Sequence, residues 1–158
     1  MHAAPSPIDW VRAEQYFASA LRRGYPDTVV IPKLLRVCLG ASRLRAALGY
    51  AEIYLLRHPR AWELRYLAGA IHVGLGQPDA ARAELEHVLR AQPAHAPATF
   101  LLAQLEAAAP ARLAQARELY TSYLALAPDG AHAEAARTFL QVHASDPSPT
   151  ESEDATSP

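Results

Sequence analysis

The chain carries a single cysteine, Cys38, which rules out an internal disulfide framework and any cysteine-based metal cluster. It also lacks a long apolar run: no stretch reaches the roughly 18 residues that a membrane-spanning helix needs. The opening residues, MHAAPSPIDW, have neither a basic start nor an apolar h-region, so no secretory signal is visible. A cytoplasmic location is the expectation. The motifs of catalysis are missing as well. There is no Gly-rich phosphate loop, no nucleophile elbow and no His-x-x-x-His pair on one helix. Within the helices, closely spaced carboxylates occur only as Glu84 and Glu86, which point to different sides. An enzyme is therefore not expected, and neither a cofactor nor a metal is implied. Lysine is nearly absent too: Lys33 is the only one, and every other basic residue is an arginine.

What is present favours helix. Apolar residues make up 51% of the chain, Ala and Leu dominate, and β-branched residues are scarce. At 158 residues the chain is long enough for one domain with a real core. Charge is unevenly spread although the net is −1. Residues 1–60 hold nine Lys/Arg against four Asp/Glu, residues 61–144 six against eight, and the last fourteen none against four. That basic excess is small and lacks interleaved aromatics, so nucleic acid is not an expected partner.

Residues 61–93, AWELRYLAGAIHVGLGQPDAARAELEHVLRAQP, read as two amphipathic helices joined by the turn Leu75-Gly76-Gln77-Pro78-Asp79. Small residues mark the places where the helices touch: Gly69 and Ala70 on the first, Ala80 and Ala81 on the second. The unit recurs. Steps of 34 residues from Ala81 reach Ala47 and Ala13, and a step of 35 reaches Ala116. Four places after each stand Phe17, Ala51, Leu85 and Tyr120, a large residue in every case but Ala51. Eight places after stand Leu21, Leu55, Leu89 and Leu124, and Pro59, Pro93 and Pro128 close the units in step. Gly40 and Gly74, 34 apart, end the first helices.

This pattern resembles the tetratricopeptide repeat (TPR), through Ala68-Gly69, Ala81, Leu85, Val88 and Pro93. It departs from the family at two aromatic places, which hold Arg65 and His72. The resemblance implies an all-α fold: a short right-handed solenoid of about three TPR-like helix-turn-helix repeats, an extra N-terminal helix and a C-terminal capping helix. Residues 1–144 would form the repeat domain, and residues 145–158 a disordered, acidic Ser/Pro-rich tail.

In chain order, Ser6 caps a helix that starts at Pro7, with Asp9 closing a short capping box, and stops at Gly24. Its register matches the second helix of a repeat, and Trp10, Phe17 and Leu21 pack on the next unit. Pro32 leaves the next helix two options: short from Pro32, or kinked from near Thr28. Further helices are expected over residues 42–57, 98–109, 111–126 and 131–142. His72 is expected as a packed core histidine, with Cys38 an inert hydrophobe at the matching place. The other histidines are expected on helix ends or outer faces.

By the same resemblance, the first helix of each repeat would line a concave groove that holds a protein or peptide segment. The wall would comprise Lys33 and Arg36, then Glu63, Tyr66, Ala70 and Val73, then Ala98, Leu101, Leu105 and Ala108. The Lys/Asn set that clamps a C-terminal carboxylate in some TPR proteins is absent; the matching places hold Pro32, Arg36, Leu67, Ala98 and Leu102. Leu101 and Leu105 would either meet a ligand or be covered by the chain's own capping helix or a second copy. A protein-interaction adaptor is the leading expectation. The alternatives are a small cytoplasmic chaperone similar to those of type III secretion translocators, and a structural oligomerisation module that could form a homodimer.

Overall fold

A small residue every 34 or 35 positions sets where helix backbones can approach, and Ala47, Ala81 and Ala116 are each 0% exposed. The computed structural model describes residues 7–144, with side chains from residue 11 onward. The expected Ser6 cap, the Asp9 and Trp10 side-chain contacts and the 145–158 tail lie outside that description.

The helices are α1 (Pro7–Arg22), α2 (Asp27–Gly40), α3 (Leu44–Arg57), α4 (Trp62–Gly74), α5 (Pro78–Ala91), α6 (Ala96–Ala107), α7 (Leu113–Leu126) and α8 (Ala133–Val142). A 3-10 turn at Pro110–Arg112 leads into α7, and no strand occurs among the described residues. The fold is all-α, built from helix-turn-helix pairs. It divides into two compact units within α5, between Glu84 and Leu85.

In the first unit α1 packs on α2, α2 on α3 and α3 on α4. Its core joins Ile31, Leu34, Leu35 and Cys38 of α2 to Ala47 and Ala51 of α3 and Ile71 of α4. Asp27, the first residue of α2, meets Arg57 at 3.4 Å and His58 at 3.3 Å, tying the start of α2 to the end of α3. Burial alone would raise the Asp27 carboxyl. Hydrogen bonds from His58 and Arg57, the attraction of His58 and the Thr28 amide outweigh it and hold the group below its usual value.

Of the two options for α2, the start near Thr28 holds: the helix begins at Asp27 and carries Pro32 inside. Pro32 cannot donate to the Thr28 carbonyl, but both residues are exposed, so water can serve that oxygen.

Three helix ends share one device. Past α1, the Gly24 amide donates to the Leu21 carbonyl at 3.0 Å and the Tyr25 amide to Ala20 at 3.1 Å. Past α2, Ser42 donates to Leu39 at 3.0 Å and Arg43 to Cys38 at 2.7 Å; past α4, Gly76 donates to Val73 at 3.0 Å and Gln77 to His72 at 2.9 Å. Each is a Schellman motif, which requires a left-handed residue just past the helix. Gly24 (φ 82°), Ser42 (φ 55°) and Gly76 (φ 68°) supply it. Gly24 was expected in this role. Gly40 and Gly74 do end their helices, yet the left-handed residue comes two places later, at Ser42 and Gly76. That displacement is why α3 starts at Leu44 rather than Ser42.

In the second unit α6 packs on α7 and α7 on α8. Phe100 and Ala103 of α6, Ala116, Tyr120 and Tyr123 of α7 and Ala136 of α8 form its core. Phe100 meets Tyr120 edge-on at 5.7 Å and stacks on His132 at 4.2 Å. The Tyr123 hydroxyl accepts from the His132 amide at 3.2 Å, which satisfies a donor at the start of α8.

Candidate partner-binding surface

On a helix, residues three and four apart share a face. Glu63, Tyr66, Ala70 and Val73 therefore form one stripe along α4, opposite the buried Ala68 and Ile71. Glu63 and Val73 are exposed, while Tyr66 and Ala70 are half-buried. Burial, together with the nearby Glu63 carboxylate, pushes the Tyr66 phenol above its usual value. It keeps its proton at neutral pH. On α2, Lys33 and Arg36 stand one turn apart and both are exposed, on the side away from Leu34, Leu35 and Cys38.

In the second unit, taken by itself, the expected wall lies on α6. Leu101 and Leu105 are half-buried there, and Ala108 is exposed just past the helix end. Ala98 is a correction: it is 0% exposed and offers no surface to a partner. α6 is apolar nearly all round, so a register alone does not say which side is covered. The Ala98 amide donates to Nδ1 of His95 at 3.1 Å, making His95 the N-cap of α6. His95 is thus buried at a helix start and not on a solvated outer face.

His72 is a second correction. It is only half-buried, and its Nδ1 lies 2.8 Å from Oε1 of Gln77 across the α4–α5 turn. Arg65, the other departure from the repeat pattern, donates to Glu84 at 2.7 Å and so ties α4 to α5. Both departures exchange an aromatic contact for a polar tie within one helix pair. Cys38 is 0% exposed as expected, and burial pushes its thiol up, leaving a weak nucleophile. Among the described residues no three His, Cys, Asp or Glu converge as a metal site, and no helix is long and apolar enough to cross a membrane.

One surface escaped the repeat register. Tyr16, Phe17 and Ala20 of α1, with Arg23 just beyond it, face Val29 and Lys33 of α2 across a cleft of about 380 Å³. Tyr16 is 72% exposed, Tyr25 63% and Val29 53%. The signal that could have found it is the column Ala13, Phe17, Ala20, which calls for a helix against it.

No family model and no curated protein matches the chain. Solved structures do. YrrB, described as a TPR protein with an unusual peptide-binding site, superposes with a TM-score of 0.71 at 22% identity, over 82% of this chain and 66% of its own. A tetratricopeptide repeat protein from Parabacteroides merdae gives 0.74 at 18% identity, over 84% of this chain and 53% of its own. MamA gives 0.74 at 14% identity, over 86% and 80%. The chain thus spans between half and two thirds of the length of the first two. At these identities the likeness is one of fold, and the fold is TPR-like.

Proposed function

We propose that this protein is a non-enzymatic adaptor that binds an extended or helical segment of a partner protein along the first helices of its repeats. The stripe on α4 carries the reading: an accessible apolar run, Tyr66, Ala70 and Val73, lies on a helix whose other side is fully committed to packing. The peptide-binding site ascribed to YrrB, which shares the fold, supports it. In this reading Tyr66 and Val73 take an apolar anchor of the partner. Lys33 and Arg36 take acidic residues of the same segment, and within the second unit Leu101 and Leu105 on α6 offer an apolar contact of their own. A cytoplasmic setting and a partner other than nucleic acid belong to the same proposal.

Capture of partners from the native host, followed by binding assays on the purified pair, tests it. Interface anchors of this kind each carry on the order of 2 kcal/mol. Tyr66→Ala, Arg36→Glu and Leu101→Glu should each weaken binding at least about tenfold, with helical content unchanged. The Arg36 effect should shrink as salt rises, because Arg36 is exposed. His72→Phe is the control, since His72 contacts Gln77 at the turn and lies off the stripe. Loss of binding in His72→Phe, with the three other variants binding normally, would sink the proposal.

A further inference from the structure

We infer that the cleft between α1 and α2 is a second docking site, one that takes an amphipathic helix with an apolar stripe and acidic flanks from a partner protein. The repeat itself says what such a surface meets. In α3, α5 and α7 the small residue of the column is 0% exposed (Ala47, Ala81, Ala116), and the residue four places on is at most 6% exposed (Ala51, Leu85, Tyr120). In α1 the equivalent Ala13 and Phe17 are only half-buried. Within the first unit, the column of α3 is covered by α2, the helix that precedes it. Within the second, the column of α7 is covered by α6 before it and by α8 after it. A column of this shape is therefore built to receive a helix. In α1 Phe17 packs on the core of α2 and α3 on one side, and on the other Phe17 and Ala20 line the cleft.

The chemistry of the rim selects the occupant. Arg23 and Lys33 line the cleft, and among the described residues no carboxylate does. Arg12, Arg22 and Arg36 are exposed on the same two helices. Glu14 of α1 is turned to the other side, where it accepts from Arg43 and from the Tyr50 hydroxyl. A helix with glutamates beside its apolar stripe would meet arginine and lysine on both edges. A second copy presenting the same face would set arginines against arginines, which disfavours a symmetric dimer here.

Lys33 and Arg36 serve both surfaces, but Tyr16 and Val29 belong to the cleft alone and Tyr66 to the α4 stripe, so variants there tell the two apart. The probe is a labelled synthetic helix of about 16 residues, long enough to be partly helical in water. It carries leucine and alanine on one stripe and glutamate on the flanks; a twin carries lysine in place of glutamate. With the full chain, the glutamate peptide should bind and the lysine twin should bind at least about tenfold more weakly, the gap narrowing with salt. Val29→Glu and Tyr16→Glu replace exposed side chains, so circular dichroism should be unchanged while binding falls about tenfold or more. Tyr66→Ala should leave peptide binding as it was. Three results each overturn the proposal: no binding of the glutamate peptide, equal binding of the twin, or indifference to Val29→Glu and Tyr16→Glu. If Tyr66→Ala alone removed binding, the peptide would belong to the α4 stripe. A concentration-dependent dimer in sedimentation, broken by Val29→Glu, would give the cleft to a second copy and overturn the partner reading too.

Discussion

Ser42 and Gly76 hold the same place in successive repeats, 34 residues apart, and both sit at positive φ. The backbone asks the same of each, but only one has the residue suited to it. A side chain in the left-handed region costs roughly 1–2 kcal/mol, because its Cβ crowds the following carbonyl. Glycine escapes that crowding and gives back about 0.5–1 kcal/mol through its freer unfolded chain. Ser42→Gly should therefore stabilise the protein by about 0.5–1 kcal/mol; Ser42 is exposed, so little packing is lost. Gly76→Ala should cost about the same amount. A Cβ built there meets nothing within 4 Å, so the cost is conformational and contains no clash. Urea unfolding followed by circular dichroism reads both as opposite shifts in midpoint at constant slope. In a melt each corresponds to about 2–4 °C per kcal/mol for a chain of this size. The double variant should return close to the parent, since the sites are distinct. If Ser42→Gly unfolds earlier than the parent, the left-handed turn is not under strain and the reasoning fails.

Two further outcomes follow from packing and charge. Ala81→Leu forces a larger side chain into a fully buried site and should cost about 1–3 kcal/mol, against less than about 0.5 kcal/mol for the exposed Glu86→Ala; denaturant midpoints compare the two. Asp27 has its folded pKa held below the usual carboxylate value, so the stability it contributes is full above that usual value and is lost as pH falls through the folded one. The melting-temperature gap between the parent and Asp27→Asn should thus be steady near neutral pH and close in that acid window; a gap that persisted there would show that the contacts with Arg57 and His58 do not depend on the Asp27 charge.

The repeat was legible because a period of 34 residues is carried by many positions at once. The alanine, leucine and proline columns all report the same helix spacing, and an error in one does not move the others. Helix ends were less legible because they depend on single residues. A left-handed Ser42 looks like any serine in the sequence, and His95 as an N-cap looks like any surface histidine. Pro32 left the start of α2 open for a related reason. A proline on the wet side of α2 costs the helix one internal hydrogen bond, which water can replace, so the rule against interior prolines lost to the packing of Leu34, Leu35 and Cys38.

Surfaces were the least legible, because a register states which way a side chain points and not what lies over it. Ala98 and Leu101 sit one turn apart on α6, yet one is fully buried and the other half-buried. The reverse holds in α1, where Ala13 and Phe17 carry the letters of a buried column and remain accessible. The departures from the pattern, Arg65 and His72, drew attention as oddities, but each spends its polar group on a neighbour within its own helix pair. In a repeat of this kind an unusual residue is accordingly weak evidence of a binding site. An ordinary apolar residue left largely uncovered is stronger evidence, because most of its area has no internal contact to account for it. By that criterion Tyr16 and Val29 at the α1–α2 cleft make a firmer case for a partner than any histidine in the chain.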